Sequence, residues 1–582
     1  MLRRALIVLP ILLAACAESE PPKPAPEAPK PPEYQPLKVT LKPNHEFSPE
    51  ITAEDYAQHI FTLSSDEYEG RDPGTLGERL TMNYLENELR RIGFLPAVGV
   101  DGPCKAFPCE HASFFQRVPM VSTTTDPATT LTIDVGGQKQ TLAMGKEMVI
   151  GTRSGENTVT IDGSELVFVG YGVNAPEAEW NDYAGVDVKG KTVVVMVNDP
   201  GFLRQDETLF KGKAMTYYGR WTYKFEEAAR QGAKAALIIH DTAPASYGWD
   251  VVVNSWGGAQ HDLPKSEDPE PRLAAQGWLS LDAAKNLFTA AGLDFEAERQ
   301  RADQRGFTAS ALSAQLSGTI QSTITNNASN NVVAILPGTE KPNESVLYSM
   351  HWDHLGKNEE LTDDPIFNGA IDNATGVASA LEIAAAFAAS PEKPKRSVVL
   401  LFTTLEESGL LGSRYFVKHP AVPLDTMAGV INMDANPFVG RVRDFSVAGW
   451  DQNGLQDLLG DVLKAQNRVP SPESNPERGY YFRSDHFNFA RAGVPALHAG
   501  AGDDHVAYGR AFVEEINRKY DEVAYHKPPD EFDPEWDYAG SMEDINVYYE
   551  LGRRLANSGE WPTWREASEF RLTREASDES RQ

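Results

Sequence analysis

Two adjacent carboxylates, Glu406 and Glu407, close the apolar run Leu401-Phe402-Thr403-Thr404-Leu405 and precede the turn Ser408-Gly409. A strand that buries its body and offers acids at its C-terminal tip is a common way to build a site on an open α/β sheet. Paired acids there divide the work, one gripping a cation and the other moving a proton. By itself the pair has a plainer reading, a solvated helix start. Three further elements weigh against that. The apolar run 345–350 stops at His351-Trp352-Asp353, and the run 427–433 stops at Asp434. Between them, Asn368-Gly369-Ala370-Ile371-Asp372-Asn373-Ala374-Thr375-Gly376 sets Asp372 just before the alanine-rich stretch 377–389, whose small residues suit a helix packed close to a sheet. Parallel strands present their C-terminal ends along one edge, so these groups can converge although they are distant in sequence.

Oxygen and imidazole donors without cysteine suit zinc, or else manganese or cobalt. One His, two Asp and one Glu lack only a second imidazole to complete two metal sites. The segment Tyr525-His526-Lys527-Pro528-Pro529-Asp530 offers one. Its prolines stiffen the chain after His526, and Asp530 or Asp533 could orient the ring. Asp353, two residues beyond His351, is placed to accept that imidazole's other N–H.

The ordered set H-x-D, G-A-x-D-N-x-x-G, E-E, N-x-D and a late Y-H resembles the co-catalytic di-zinc exopeptidases, a family that includes bacterial leucyl aminopeptidases, glutamate carboxypeptidase II and the catalytically silent transferrin receptor. The resemblance covers most of residues 331–560. It implies an α/β fold with a mixed, mostly parallel central sheet flanked by helices, and two zinc ions per chain. His351 and Asp434 would bind one ion, Glu407 and His526 the other, and Asp372 would bridge them. Glu406 would be the general base, and Tyr525 would donate to the developing oxyanion. Every ligand position is filled, which argues against a receptor-like loss of activity. An aminopeptidase acting on peptides is the expected function. The alternatives are a carboxypeptidase of the glutamate-releasing kind, a non-catalytic binding protein and, less well matched, a glutaminyl cyclase.

Other polar residues carry less. His354 would point away from His351 if the strand continued, so it stays outside the ligand set. Ser484-Asp485-His486 lacks a nucleophile elbow nearby, and the resemblance puts such a segment at the site wall. His419, His498 and His505 read as structural or solvated, and Arg483 could meet a substrate carboxylate.

The chain of 582 residues is 41% hydrophobic, enough for two domains, and its formal net charge of −30 disfavours nucleic acid or anionic lipid as partners. Residues 1–15 carry a basic start, an apolar run and Leu-Ala-Ala before Cys16, the pattern of a lipoprotein signal peptide. Cys16 is therefore expected to be lipidated, anchoring the protein in a bacterial cell envelope, at the outer membrane facing the periplasm. Residues 16–45 read as a disordered Pro-rich tether. Cys104 and Cys109 are expected to close a small disulfide loop. Residues 46–127 and 326–565 would form the peptidase domain. Residues 128–325 resemble an inserted β-rich protease-associated domain, with Tyr217, Tyr218, Arg220 and Trp221 as candidate roof residues. Residues 566–582 would be a frayed charged tail.

Overall fold

The computed structural model describes residues 34–577 apart from 101, 103, 105, 106, 360, 567 and 569. The signal peptide expected over 1–15 and the lipidation site Cys16 lie outside the described residues. The strands that matter for the site are β1 (Phe115–Thr125), β2 (Thr158–Phe168), β3 (Ser310–Leu336), β4 (Lys341–His351), β5 (Arg396–Thr403), β6 (Met427–Asn432) and β7 (Ala496–Ala501). β4 lies between β5 and β6 and is parallel to both, with Leu347 opposite Val399 and Val430. β6 is in turn parallel to β7. β3 runs antiparallel to β5 on one side and to β1 on the other. The result is a mixed α/β sheet with a parallel centre, in the order β1-β3-β5-β4-β6-β7.

β5 and β6 are buried at every position, which explains why they read as unbroken apolar runs instead of alternating ones. Val398, Leu400 and Phe402 enter the core on one face, and Val399 and Leu401 the core on the other. Three helices cover the first face: α1 (Ala53–Leu63), α2 (Thr375–Ala389) and α3 (Ala539–Asn557). The small side chains of α2 let it lie close, and it is buried almost throughout. On α3, Gly552 leaves room for Tyr348: a Cβ there would stand 1.7 Å from the phenol oxygen.

Residues 128–325 build a second sheet with its own apolar core, including Leu131, Ile161, Phe168, Leu237 and Phe288. Its parallel strands Thr192–Met196, Ala235–Ile239 and Ala275–Leu279 align in register. The 27-residue β3 belongs to both sheets. Its first part, from Ser310 to Gln321, pairs with β2, and from Ser322 onward it pairs with β1.

Two segments expected to be loose are partly held. Within the tether, Val39 is buried and the Leu37 amide donates to Asp537 (2.9 Å). Within the tail, Arg571–Glu575 is a short helix whose Arg574 is buried and donates to the Met427 carbonyl (2.7 Å). Cys104 and Cys109 are joined as a disulfide with Cα atoms 5.8 Å apart.

Candidate active site

The C-terminal ends of β4, β5 and β6 deliver the acids and imidazoles to one edge. His351 is the last residue of β4 and Asp434 follows β6 by two residues. After β5 the backbone turns sharply at Leu405, which takes φ 56°, a region a β-carbon disfavours. That turn frees Glu406 and Glu407 from the opposite-face rule of a continuing strand. His526 (φ 55°) and Gly369 (φ 57°) hold the same left-handed conformation, so unusual backbone geometry gathers around this edge.

Asp372 stands at the centre. Its Oδ1 is 3.2 Å from His351 Nε2, and its Oδ2 is 3.4 Å from His526 Nε2. His351 Nε2 also lies 3.1 Å from Asp434 Oδ1, and His526 Nε2 lies 3.0 Å from Glu407 Oε2. Donor atoms of His351, Asp372 and Glu407 all fall within 4.8 Å of one another. Glu406 is set back, its Oε2 3.9 Å from His351 Nε2. The expected residues thus come together, and Asp372 faces one imidazole with each oxygen.

The supporting contacts hold the loops rather than the rings. The Asp530 carboxylate accepts from the amides of Ile371 (2.9 Å) and Asp372 (3.1 Å) and from the Tyr520 hydroxyl (3.1 Å). It therefore positions the Asp372 loop, a different task from orienting His526. Asn373 ties that loop to the next one, donating to the Met433 carbonyl and accepting from the Gly376 and Ala435 amides. A Cβ on Gly369 would stand 2.3 Å from the Asp372 carbonyl oxygen, and one on Gly376 would stand 2.6 Å from that of Met433. Both glycines of the G-A-x-D-N-x-x-G motif are explained by close approach. His351 Nδ1 donates to the Asp353 main-chain carbonyl (3.0 Å), while the Asp353 carboxylate lies 3.9 Å away and accepts from the Glu406 amide (3.3 Å).

Two residues at this edge escaped the sequence reading. His354 is buried and its Nδ1 donates to Glu407 Oε1 at 2.6 Å. β4 stops at His351, so strand alternation does not govern a residue three positions on. Arg71 is buried and donates to the carbonyls of Leu63, Trp352, Asn368 and Gly369, clamping the His351 and Asp372 loops together. His498 sits beside Asn432 (3.3 Å) and stacks on His486. His505 accepts from the Ala507 and Tyr508 amides, and His419 pairs with Glu267.

The electrostatics describe a negative site. Burial opposes protonation of His526, yet Glu407 and Asp372 lift it to about 10. Burial likewise opposes His351, and Asp434 with Glu406 outweighs it, holding the imidazole well above its usual range. Burial, then Asp434 and Glu407, push Glu406 well above the ordinary carboxyl range. Burial, partly countered by His351, raises Asp353 to about 8. Four clustered carboxylates face three imidazoles, those of His351, His354 and His526, a deficit of positive charge that divalent cations match. The donor set, nitrogen and oxygen without thiolate, fits zinc. His351, Asp434 and one Asp372 oxygen would hold one ion, and His526, Glu407 and the other Asp372 oxygen a second.

An open α/β sheet with an imidazole–carboxylate cluster at its parallel strand ends defines the class. Residues 331–549 match the family model of peptidase family M28. The chain is 29% identical over 136 residues to a vacuolar membrane protease of Lodderomyces elongisporus, covering 22% of this chain and 13% of that one. It is 37% identical over 105 residues to a probable zinc metalloprotease of Pyrenophora teres f. teres, covering 18% and 22%. These matches span less than a quarter of either relative's own length. Among solved structures, an aminopeptidase from Aneurinibacillus sp. strain AM-1 aligns over 88% of this chain and 96% of its own, at 20% identity and a TM-score of 0.48. The curated relatives overturn the expected bacterial envelope location, because several are vacuolar membrane proteases of fungi. A basic start followed by an apolar run is a general membrane-entry pattern. It does not distinguish a bacterial outer membrane from other destinations. No helix among the described residues is long and apolar enough to cross a membrane.

Proposed function

We propose that the protein is a zinc-dependent exopeptidase, an aminopeptidase that hydrolyses the N-terminal residue from peptides with two zinc ions per chain. The observation that carries this reading is the placement of Asp372, each oxygen of which faces a different imidazole. When bound, the zinc pair supplies Lewis-acid polarisation and acidifies water. Glu406, set back from the ligands, takes a proton from the attacking water and hands it to the leaving amine. Tyr525 lies stacked on His526, ring centroids 4.0 Å apart, and donates a hydrogen bond from its hydroxyl to the oxyanion. His354 fixes one oxygen of Glu407 and leaves the other free to ligate. Residues 128–325 act as a protease-associated insert that roofs the cleft. Supporting this, the Met215 amide donates to the Pro476 carbonyl (2.9 Å) and Lys213 pairs with Glu477 (3.1 Å).

The deciding experiment incubates zinc-loaded protein with free and N-acetylated peptides. An aminopeptidase releases the first residue only from the free peptide. Cleavage that survives acetylation would turn the assignment towards a carboxypeptidase, and no cleavage of either, with zinc demonstrably bound, towards a binding protein.

A further inference from the structure

The strand Gln260–Asp262 belongs to residues 128–325, yet it pairs antiparallel with β1 of the sheet that carries the imidazole–carboxylate cluster, His261 opposite Ser122. Just beyond it, Leu263 is fully buried and joins Leu405, Leu411, Val118 and Met120 in one small apolar cluster. Leu405 and Leu410 bracket the Glu406–Glu407 turn, and both hold left-handed backbone, with φ 56° and 62°. Such conformations persist only where the surroundings over-determine them. The catalytic part supplies some of that support. Asn331 accepts from the Thr404 amide (3.0 Å), Asp353 accepts from the Glu406 amide (3.3 Å), and Asn488 donates to the Leu410 carbonyl (3.0 Å). Residues 128–325 add Leu263.

Asp268, further along the same segment, is 1% exposed. Its carboxylate accepts from Arg414 (3.0 Å) and Lys418 (2.7 Å), both on the helix Leu411–Lys418 that starts where the turn ends. Glu267 adds an ion pair with His419 (3.0 Å). Arg272 stiffens the segment from within, donating to the Leu263 carbonyl (2.7 Å) and lying 3.6 Å from the Asp268 carboxylate. A buried carboxylate is costly unless it is paired and hydrogen-bonded, and here two of its partners sit on one short helix. At the start of that helix the Leu411 and Gly412 amides donate to the Leu405 and Thr404 carbonyls (3.0 Å each). A shift of the helix is therefore passed to the turn. We propose that segment 260–272 is a strut that sets the Glu406–Glu407 turn, Leu263 backing Leu405 and Asp268 anchoring the helix that follows. Leu263 and Asp268 are positioning residues, acting through Leu405 and the helix. The proposal rests on Glu406 as the base, and it gives residues 128–325 a part in the rate of the chemical step as well as in roofing the cleft.

The test compares the zinc-loaded wild type with Leu263→Ala, Asp268→Asn and Asp268→Glu. Amide hydrogen exchange across residues 405–412 is expected to quicken by about tenfold or more in the first two variants. The strand Ala235–Ile239, buried in the core of the second sheet, keeps its protection. With the free peptide as substrate, kcat is expected to fall by about tenfold to a hundredfold while KM stays within about twofold. Asp268→Glu restores part of the loss. Adding Arg414→Gln to Asp268→Asn lowers kcat little further, because the two residues act as one unit. A merely structural role would loosen both stretches together. Unchanged exchange over 405–412 in both Leu263→Ala and Asp268→Asn, equal loosening of the two stretches, or a wild-type kcat in both variants overturns the proposal. If the wild type cleaves no peptide the exopeptidase reading fails instead, and the exchange measurement alone decides the strut.

Discussion

Replacing Glu406 by Gln keeps the shape and one oxygen of the side chain but removes the carboxylate that we propose moves a proton. Turnover is expected to fall by about a hundredfold to ten-thousandfold while bound zinc, counted by metal analysis, stays the same. Retained activity would strip Glu406 of the base role. His354 makes the opposite pattern. It touches Glu407 and not the centre, so His354→Ala is expected to weaken zinc binding by about tenfold to a hundredfold, read by chelator competition. Removing zinc altogether with a chelator is expected to abolish activity, and re-addition to restore it. At this scale the sequence was largely readable, because His351, Glu406, Glu407 and Asp434 each terminate an apolar run. His354 was not, since its exclusion assumed a strand that in fact ends three residues earlier. Arg71 was not either: a buried guanidinium that binds carbonyls leaves no periodic trace.

Among the elements, the close contact of α3 with β4 depends on Gly552. A methyl group there must displace Tyr348, whose hydroxyl donates to the Tyr548 carbonyl (2.8 Å). Gly552→Ala is expected to cost about 1–3 kcal/mol, measured by denaturant unfolding. α1 and α2 meet through a buried polar pair, His59 and Glu382, 3.7 Å apart. Burial raises Glu382 to about 9 and lowers His59 to about 3, so the contact is held neutral. A carboxyl whose folded pKa exceeds its unfolded value contributes stability below about 4.5 that is lost as pH climbs towards 9. The histidine has the reverse sign, its contribution being lost as pH falls from about 6.5 towards 3. Glu382→Gln is therefore expected to flatten the alkaline limb: between pH 6 and 9 its melting temperature should drop less than the wild type's, by about 2 °C or more. Equal slopes would place the alkaline loss elsewhere. The pattern of elements was legible where both faces of a strand are buried. The His59–Glu382 contact was not, because it joins residues more than three hundred positions apart and neither ends a run.

For the molecule as a whole, the order of strands and helices in residues 331–549 followed from the apolar runs and their terminating residues, while the joining of the two sheets did not. Alternating polar and small residues through 310–330 gave no sign of one unbroken strand. That strand has a consequence for anyone wishing to trim the protein. Residues 322–325, which a cut at the expected boundary would discard, are hydrogen-bonding partners of Ser122–Thr125. The central third of this chain is thus no detachable cassette. Excising it would unzip the flank of the sheet that carries the chemistry, and a working minimal enzyme would have to keep the seam.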